Sequence, residues 1–173
     1  MQHTTEKIRR IKVDSMYGKK KHFNAADRKQ KYHYWIGIPL ITLNTITSGT
    51  LLANLENTET WVKHLPAILA FLAALLAVYQ TFFNFSKQVE GHRNVASDYL
   101  ALMKKCDRVQ GYIADKAISQ DMIMEMVEDL GSEAARINKA AAAYHVSNKD
   151  YKLAEKGIKE DGEEEYTEQE LSL

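Results

Sequence analysis

The chain is poor in the residues that build turns, sheets and reactive centres. It has one cysteine, Cys106, in 173 residues, so no intrachain disulfide forms, no cysteine cluster holds zinc, and nothing asks for an oxidising compartment. Two prolines and eight glycines, with few runs rich in Val, Ile and Thr, leave little material for strands, and the fold class expected is all-α. Catalytic signatures are missing too: there is no glycine-rich phosphate loop, no His-Glu-x-x-His helix and no nucleophile elbow. We therefore expect no enzyme, no catalytic residue, no metal site and no cofactor.

Charge is also missing, but only in places. In a chain with 27% charged residues, Asp, Glu, Lys and Arg are absent from residues 32–55 and again from 65–86. Crossing the hydrocarbon of a bilayer takes about 20 helical residues, with every backbone group satisfied inside the helix. Both stretches are long enough. The second, LPAILAFLAALLAVYQTFFNFS, is apolar on all sides for most of its length, and Pro66 suits a first helical turn. In the first, Ile and Leu contribute only about −0.3 to −0.6 kcal/mol each against Thr42, Asn44, Thr45, Thr47, Ser48, Gly49 and Thr50, so we expect it to insert with its partner's help. Two such helices need more cover than the rest of the chain could supply as a soluble core. A secretory signal is not expected, given the long basic region ahead of the first span and Leu51 where a small residue is required.

The flanks fit a hairpin. Tyr32, Tyr34 and Trp35 stand at one end of the first span, Trp61 in the connecting loop, and Tyr79, Phe82, Phe83 and Phe85 at the end of the second, as interfacial aromatics do. Residues 1–31 hold ten Lys or Arg against three acids, residues 160–173 hold seven acids and no base, and the whole chain is formally neutral. Only Lys63 is basic in the loop 56–64, whereas Lys87, Arg93, Lys104 and Lys105 follow the second span. Both termini are thus expected in the cytoplasm, with the short loop outside. Lys19, Lys20, Lys21 and Arg28, shortly before a span, are expected to contact anionic lipid headgroups of the bilayer, and direct nucleotide or nucleic-acid binding is not expected.

After the second span, Val89, His92, Ala96, Tyr99, Met103, Cys106, Gln110 and Ile113 recur at spacings of three and four, the seam of a coiled coil. With no Gly or Pro before Gly91, this helix is expected to run straight out of the span. Ser119 is a candidate N-cap for a second helix, whose Ile123, Val127, Leu130, Ala134, Ile137, Ala141 and Tyr144 repeat the spacing. The two seams pack on each other as a hairpin or on copies in a homo-oligomer. His92 is read as a packed or interfacial residue, and Met122, Met124 and Met126 as helix packing. The expected layout is a basic cytosolic arm (1–31), a transmembrane hairpin (32–86, spans about 34–55 and 65–86), a cytosolic helical hairpin (87–150) and an acidic, disordered tail (151–173).

One face of the second span carries Ala67, Ala70, Ala74, Ala77, Thr81, Asn84 and Gln88, small residues first and polar ones after. Such a face packs on the first span, or else in an oligomer it lines a water-filled pore with Thr81, Asn84 and neighbouring Gln80 at the mouth.

Three segments carry a family resemblance: KKKHFNAADRKQKYHYW entering the first span, IGIPLITLNTITSGTLL within it, and FNFSKQVEGHRNVASDYLALMKKC leaving the second, with His92 and Tyr99. Over roughly residues 5–150 the chain resembles the SLATT family of SMODS and SLOG-associating two-transmembrane effectors. The resemblance implies an inner-membrane effector of a bacterial conflict system, encoded beside a sensor such as a nucleotidyltransferase, a SLOG protein or a reverse transcriptase. It further implies oligomerisation and perforation or depolarisation of the membrane, ending in growth arrest or cell death. The family offers no catalytic residue to carry over. The alternative is a non-conducting membrane scaffold that recruits a cytosolic partner.

Overall fold

The computed structural model describes residues 2–53 and 60–162. They form helices α1 (Gln2–Ala53), α2 (Thr60–Phe83), α3 (Phe85–Ala114), α4 (Gln120–Ala141) and α5 (Asn148–Lys159), and no strand is present among them. The fold is all-α. It divides into two compact units: a bundle unit of residues 2–26 and 90–162, and a span unit, Asp27–Val89. Helices α1 and α3 contribute to both.

In the bundle unit the core is built from Ile8 of α1, from Val95, Tyr99, Leu102, Cys106 and Val109 of α3, and from Ile123, Val127, Leu130 and Ile137 of α4. These apolar groups recur three and four apart on their helices, so each helix presents one stripe to the others. Met103, on the expected seam of α3, is half-buried, and Leu102 beside it is fully buried. Ser119 caps α4, its hydroxyl accepting from the Met122 N–H at 3.4 Å. Lys105 reaches from α3 to Asp129 and Glu133 of α4, at 2.7 and 2.8 Å, and Lys12 of α1 pairs with Asp107 of α3. Exposed pairs of this kind contribute at most about 1 kcal/mol each, so apolar packing dominates.

Two elements differ from the sequence reading. The basic stretch 1–31 is not a separate arm but the start of α1, with Ile8, Ser15, Gly18, His22, Ala25 and Ala26 buried. And helix continues beyond residue 150: Ser147 and Asp150 form a capping box that starts α5, whose Ala154 and Gly157 are buried. The rest of the expected acidic tail, residues 163–173, lies outside the described residues.

Glycine makes two packing contacts that no other residue could, Gly91 against the Tyr144 ring and Gly18 against Tyr99. A Cβ on Gly18 would stand 2.8 Å from three ring atoms of Tyr99, a side chain 5% exposed whose hydroxyl donates to Asn138 Oδ1 at 2.7 Å. The ring has nowhere to go, so Gly18→Ala should destabilise by about 1–3 kcal/mol through overpacking. Gly131, inside α4, has nothing within 4 Å of a built Cβ, and Gly131→Ala should stabilise by about 0.5–1 kcal/mol through backbone entropy. Urea unfolding of the full chain in detergent micelles checks both signs; a more stable Gly18→Ala would overturn the Tyr99 socket.

In the span unit α1 and α2 run antiparallel, with Lys29 bonded to Gln88 and Gly37 opposite Gln80 in one register. The packed side of α1 is His33, Ile36, Leu40, Leu43, Thr47 and Thr50, and that of α2 is Pro66, Leu69, Ala73, Leu76 and Gln80, each buried or half-buried. Because α2 starts at Thr60, Pro66 lies beyond the first turn expected for it. Pro39 lies inside α1, where its missing N–H leaves the Trp35 carbonyl without its usual helical donor.

Candidate functional site

The serine and threonine hydroxyls of the first span are satisfied by its own backbone. Thr42, Thr45, Thr47 and Ser48 donate their hydroxyls to the carbonyls of Ile38, Ile41, Leu43 and Asn44, at 2.7 to 3.0 Å, and Thr50 donates to Thr47 O at 2.9 Å. Each hydroxyl carries its own acceptor into an apolar surround, which removes most of the cost of placing it there. Outward, both spans present large apolar side chains: Trp35, Ile38, Ile41, Leu52, Phe71 and Phe82 are all more than 60% exposed. In the most apolar windows of the two long helical segments only 6% and 11% of residues are buried, so neither is the core helix of a soluble fold. They are membrane spans.

The candidate small and polar face, which runs from α2 through Asn84 to Gln88 of α3, divides. Ala77, Gln80 and Gln88 are half-buried, while Ala70, Ala74, Thr81 and Asn84 are exposed, beside rather than on the side that packs against α1. Buried Ala73, one position from Ala74, holds the close contact of the hairpin.

At the end of the second span the helix does not continue straight. Asn84 stands between α2 and α3 with φ 42, in the left-handed region that Asn tolerates better than most residues. Its N–H donates to Gln80 O at 3.0 Å, its carbonyl accepts from Gln88 N at 3.2 Å, and its side-chain oxygen accepts from Lys87 N at 3.4 Å. Gln88 donates its amide N–H to Phe83 O, a carbonyl at the end of α2, and accepts from Lys29. Tyr32, Tyr79, Phe83 and Phe85 surround the break, Phe83 and Phe85 stacked at 5.5 Å and Tyr32 6.0 Å from Phe85. The residue numbers alone gave no warning, because neither Gly nor Pro marks the position.

Of the four expected headgroup cations, Arg28 lies in the span unit, its guanidinium 5.9 Å from the Tyr32 ring centroid. Lys19, Lys20 and Lys21 lie half-buried in the bundle unit.

The model of SMODS and SLOG-associating 2TM effector domain family 4 matches residues 5–170. The chain belongs to the SLATT family. No curated protein and no solved structure matches this SLATT chain.

The bundle unit of this SLATT protein also holds a buried polar centre. His22 of α1 and His92 of α3 meet with their Nδ1 atoms 3.0 Å apart, at 1% and 0% exposure. Tyr99 lies 6.0 Å from the His22 ring and Tyr144 5.6 Å from the His92 ring. Below them Asp150 of α5 is buried, its carboxylate accepting from Ser147 N at 2.9 Å and Ser147 Oγ at 2.7 Å, while Asn24 of α1 donates to the Asp150 carbonyl at 3.1 Å. Spacing along α3 pointed to His92 on a packed seam; its partner comes from a helix 70 positions earlier, where ten cations concealed the stripe Ile8, Ile11, Ser15, Gly18, His22, Ala25. Among the described residues no three His, Cys, Asp or Glu are grouped to hold a metal. Cys106 is buried and its thiol pushed up to about 11, by burial first and by Asp107 second, so it stays protonated and unreactive at neutral pH.

Proposed function

We propose that this SLATT protein is an effector of a bacterial conflict or antiphage system, set in the inner membrane with both termini in the cytoplasm. On an upstream signal it oligomerises and opens a pore that depolarises the membrane, which leads to growth arrest or cell death. The observation that carries this reading is the exposed face of Ala70, Ala74 and Thr81 on α2, left over after the hairpin has packed through Ala73 and its neighbours. Small residues let helices approach closely, and a hydroxyl or amide in lipid calls for a partner helix or water. A second copy of the chain supplies the first and a pore supplies the second. Ala77, Gln80, Asn84 and Gln88 border the same face, and Lys19, Lys20, Lys21 and Arg28 are assigned to anionic headgroups, with Arg28 the first to test. A nucleotidyltransferase, a SLOG protein or a reverse transcriptase is the class of sensor that would supply the signal.

Membrane potential, followed with a voltage-sensitive dye in bacteria expressing the chain with its sensor and stimulus, tests the reading. Wild type should depolarise the cell before viability falls, and Ala74→Leu, which fills the exposed face without touching the Ala73 contact, should reach the membrane and leave the potential intact. Equal depolarisation by the variant would remove the face from the mechanism. A steady potential in wild type, with the sensor active, would favour the non-conducting scaffold.

A further inference from the structure

Packing alone would fill the junction of α1 and α3 with aliphatic groups, yet it holds two imidazoles. Their contact is an Nδ1 to Nδ1 approach at 3.0 Å, and a hydrogen bond between two ring nitrogens has one proton to share: one donates and the other accepts. It therefore exists only while at least one ring is neutral. When both rings are protonated, two N–H donors and two charges face each other inside a buried site, and the contact cannot persist.

The groups facing the pair come from every neighbouring element. Around His22 stand Lys21 of α1 itself, His92 and Tyr99 of α3 and Asp150 of α5, and beside His92 stands Tyr144 of the turn after α4. Burial holds the His22 imidazole down to about 4, with His92 and Lys21 acting in the same direction and Asp150 against them. Asp150 is already engaged by Ser147 as the cap of α5, which limits what it offers a charged ring.

We propose that His22 and His92 form a proton-operated latch in the bundle unit, which ties α1 to α3 while at least one ring is neutral and releases them when both are protonated. The ligand of this site is the proton. The latch sits on α1 and α3, the two helices that also contribute to the span unit. The latch stands on the bundle alone and holds whether or not the spans conduct.

The sign follows from linkage. The closed unit binds fewer protons than the open one between about 4 and the ordinary histidine value of 6.5, so its stability is complete above that window and is lost as pH falls through it. Hydrogen–deuterium exchange of the full chain in nanodiscs, corrected for intrinsic exchange rates, reads this directly. Between pH 6 and 5, protection of peptides covering residues 15–25 and 88–99 should fall by about tenfold per pH unit for each proton taken up, while α4 residues 123–130 keep theirs. The double variant His22→Gln/His92→Gln, with two neutral amides in place of the rings, should lose that slope and keep only the carboxylate slope at lower pH. Flat wild-type protection, an unchanged slope in the double variant, or equal loss in α4 would each overturn the latch. Should the double variant fail to fold, the wild-type contrast between α4 and the α1 and α3 peptides decides the matter.

Discussion

Leu130→Ala is expected to destabilise the bundle unit by about 3 kcal/mol, within the range of buried leucine truncations. Leu130 is 0% exposed and belongs to the cluster that includes Leu102, Cys106, Val127 and Ile137, so removing its branched end leaves a void lined from more than one helix. Leu and Ala have nearly equal helix propensity, and the loss of α4 backbone preference therefore adds little. Refilling the void would require Leu102 or Ile137 to leave a fully buried position of its own. Leu153→Ala on α5 is the control: Leu153 is 48% exposed and its truncation should cost less than about 1 kcal/mol. Thermal unfolding of the full chain in detergent micelles, followed by helix content, separates the two, and similar midpoints for both variants would mean that α4 does not hold the core.

What the sequence made legible was set by how cleanly each pattern stood out. Two long charge-free stretches among many charges announce two spans, because burying a backbone in lipid demands uninterrupted apolar helix. The α4 stripe of Ile123, Val127, Leu130 and Ile137 stands out because its core positions are aliphatic. The α1 stripe did not, since Ser15, Gly18 and His22 occupy positions where an apolar pattern is sought, and the cations around them suggested a solvated arm. Those small and polar groups make sense only with their partners in view: Gly18 receives the Tyr99 ring and His22 receives His92. α5 was hidden in the same way by its lysines and acids, although Ser147 and Asp150 three residues apart are a capping signal. Long-range pairing is what single-helix periodicity does not contain. Each helix shows its own stripe, but not the stripe it meets.

Replacing Asn84 by Gly and by Leu is expected to give opposite results for depolarisation. At φ 42 the backbone lies where a Cβ costs about 1–2 kcal/mol unless, as in Asn, a short polar side chain bonds locally, and where Gly costs nothing sterically. Asn84→Gly also removes the oxygen that accepts from Lys87 N, a loss of a few tenths of a kcal/mol, about that of an N-cap asparagine replaced by glycine. Asn84→Leu removes the same oxygen and pushes the backbone towards α geometry, which would join α2 and α3 and pull apart the ring cluster of Tyr32, Tyr79, Phe83 and Phe85. If the break is what the spans use, Asn84→Gly depolarises cells like wild type and Asn84→Leu does not, with both proteins recovered from the membrane in equal amount. Loss in both variants would instead assign the Asn84 amide to the pore wall. The geometry favours the first outcome, because the amide oxygen and the backbone of Asn84 already have partners at the break: Lys87 N, Gln80 O and Gln88 N.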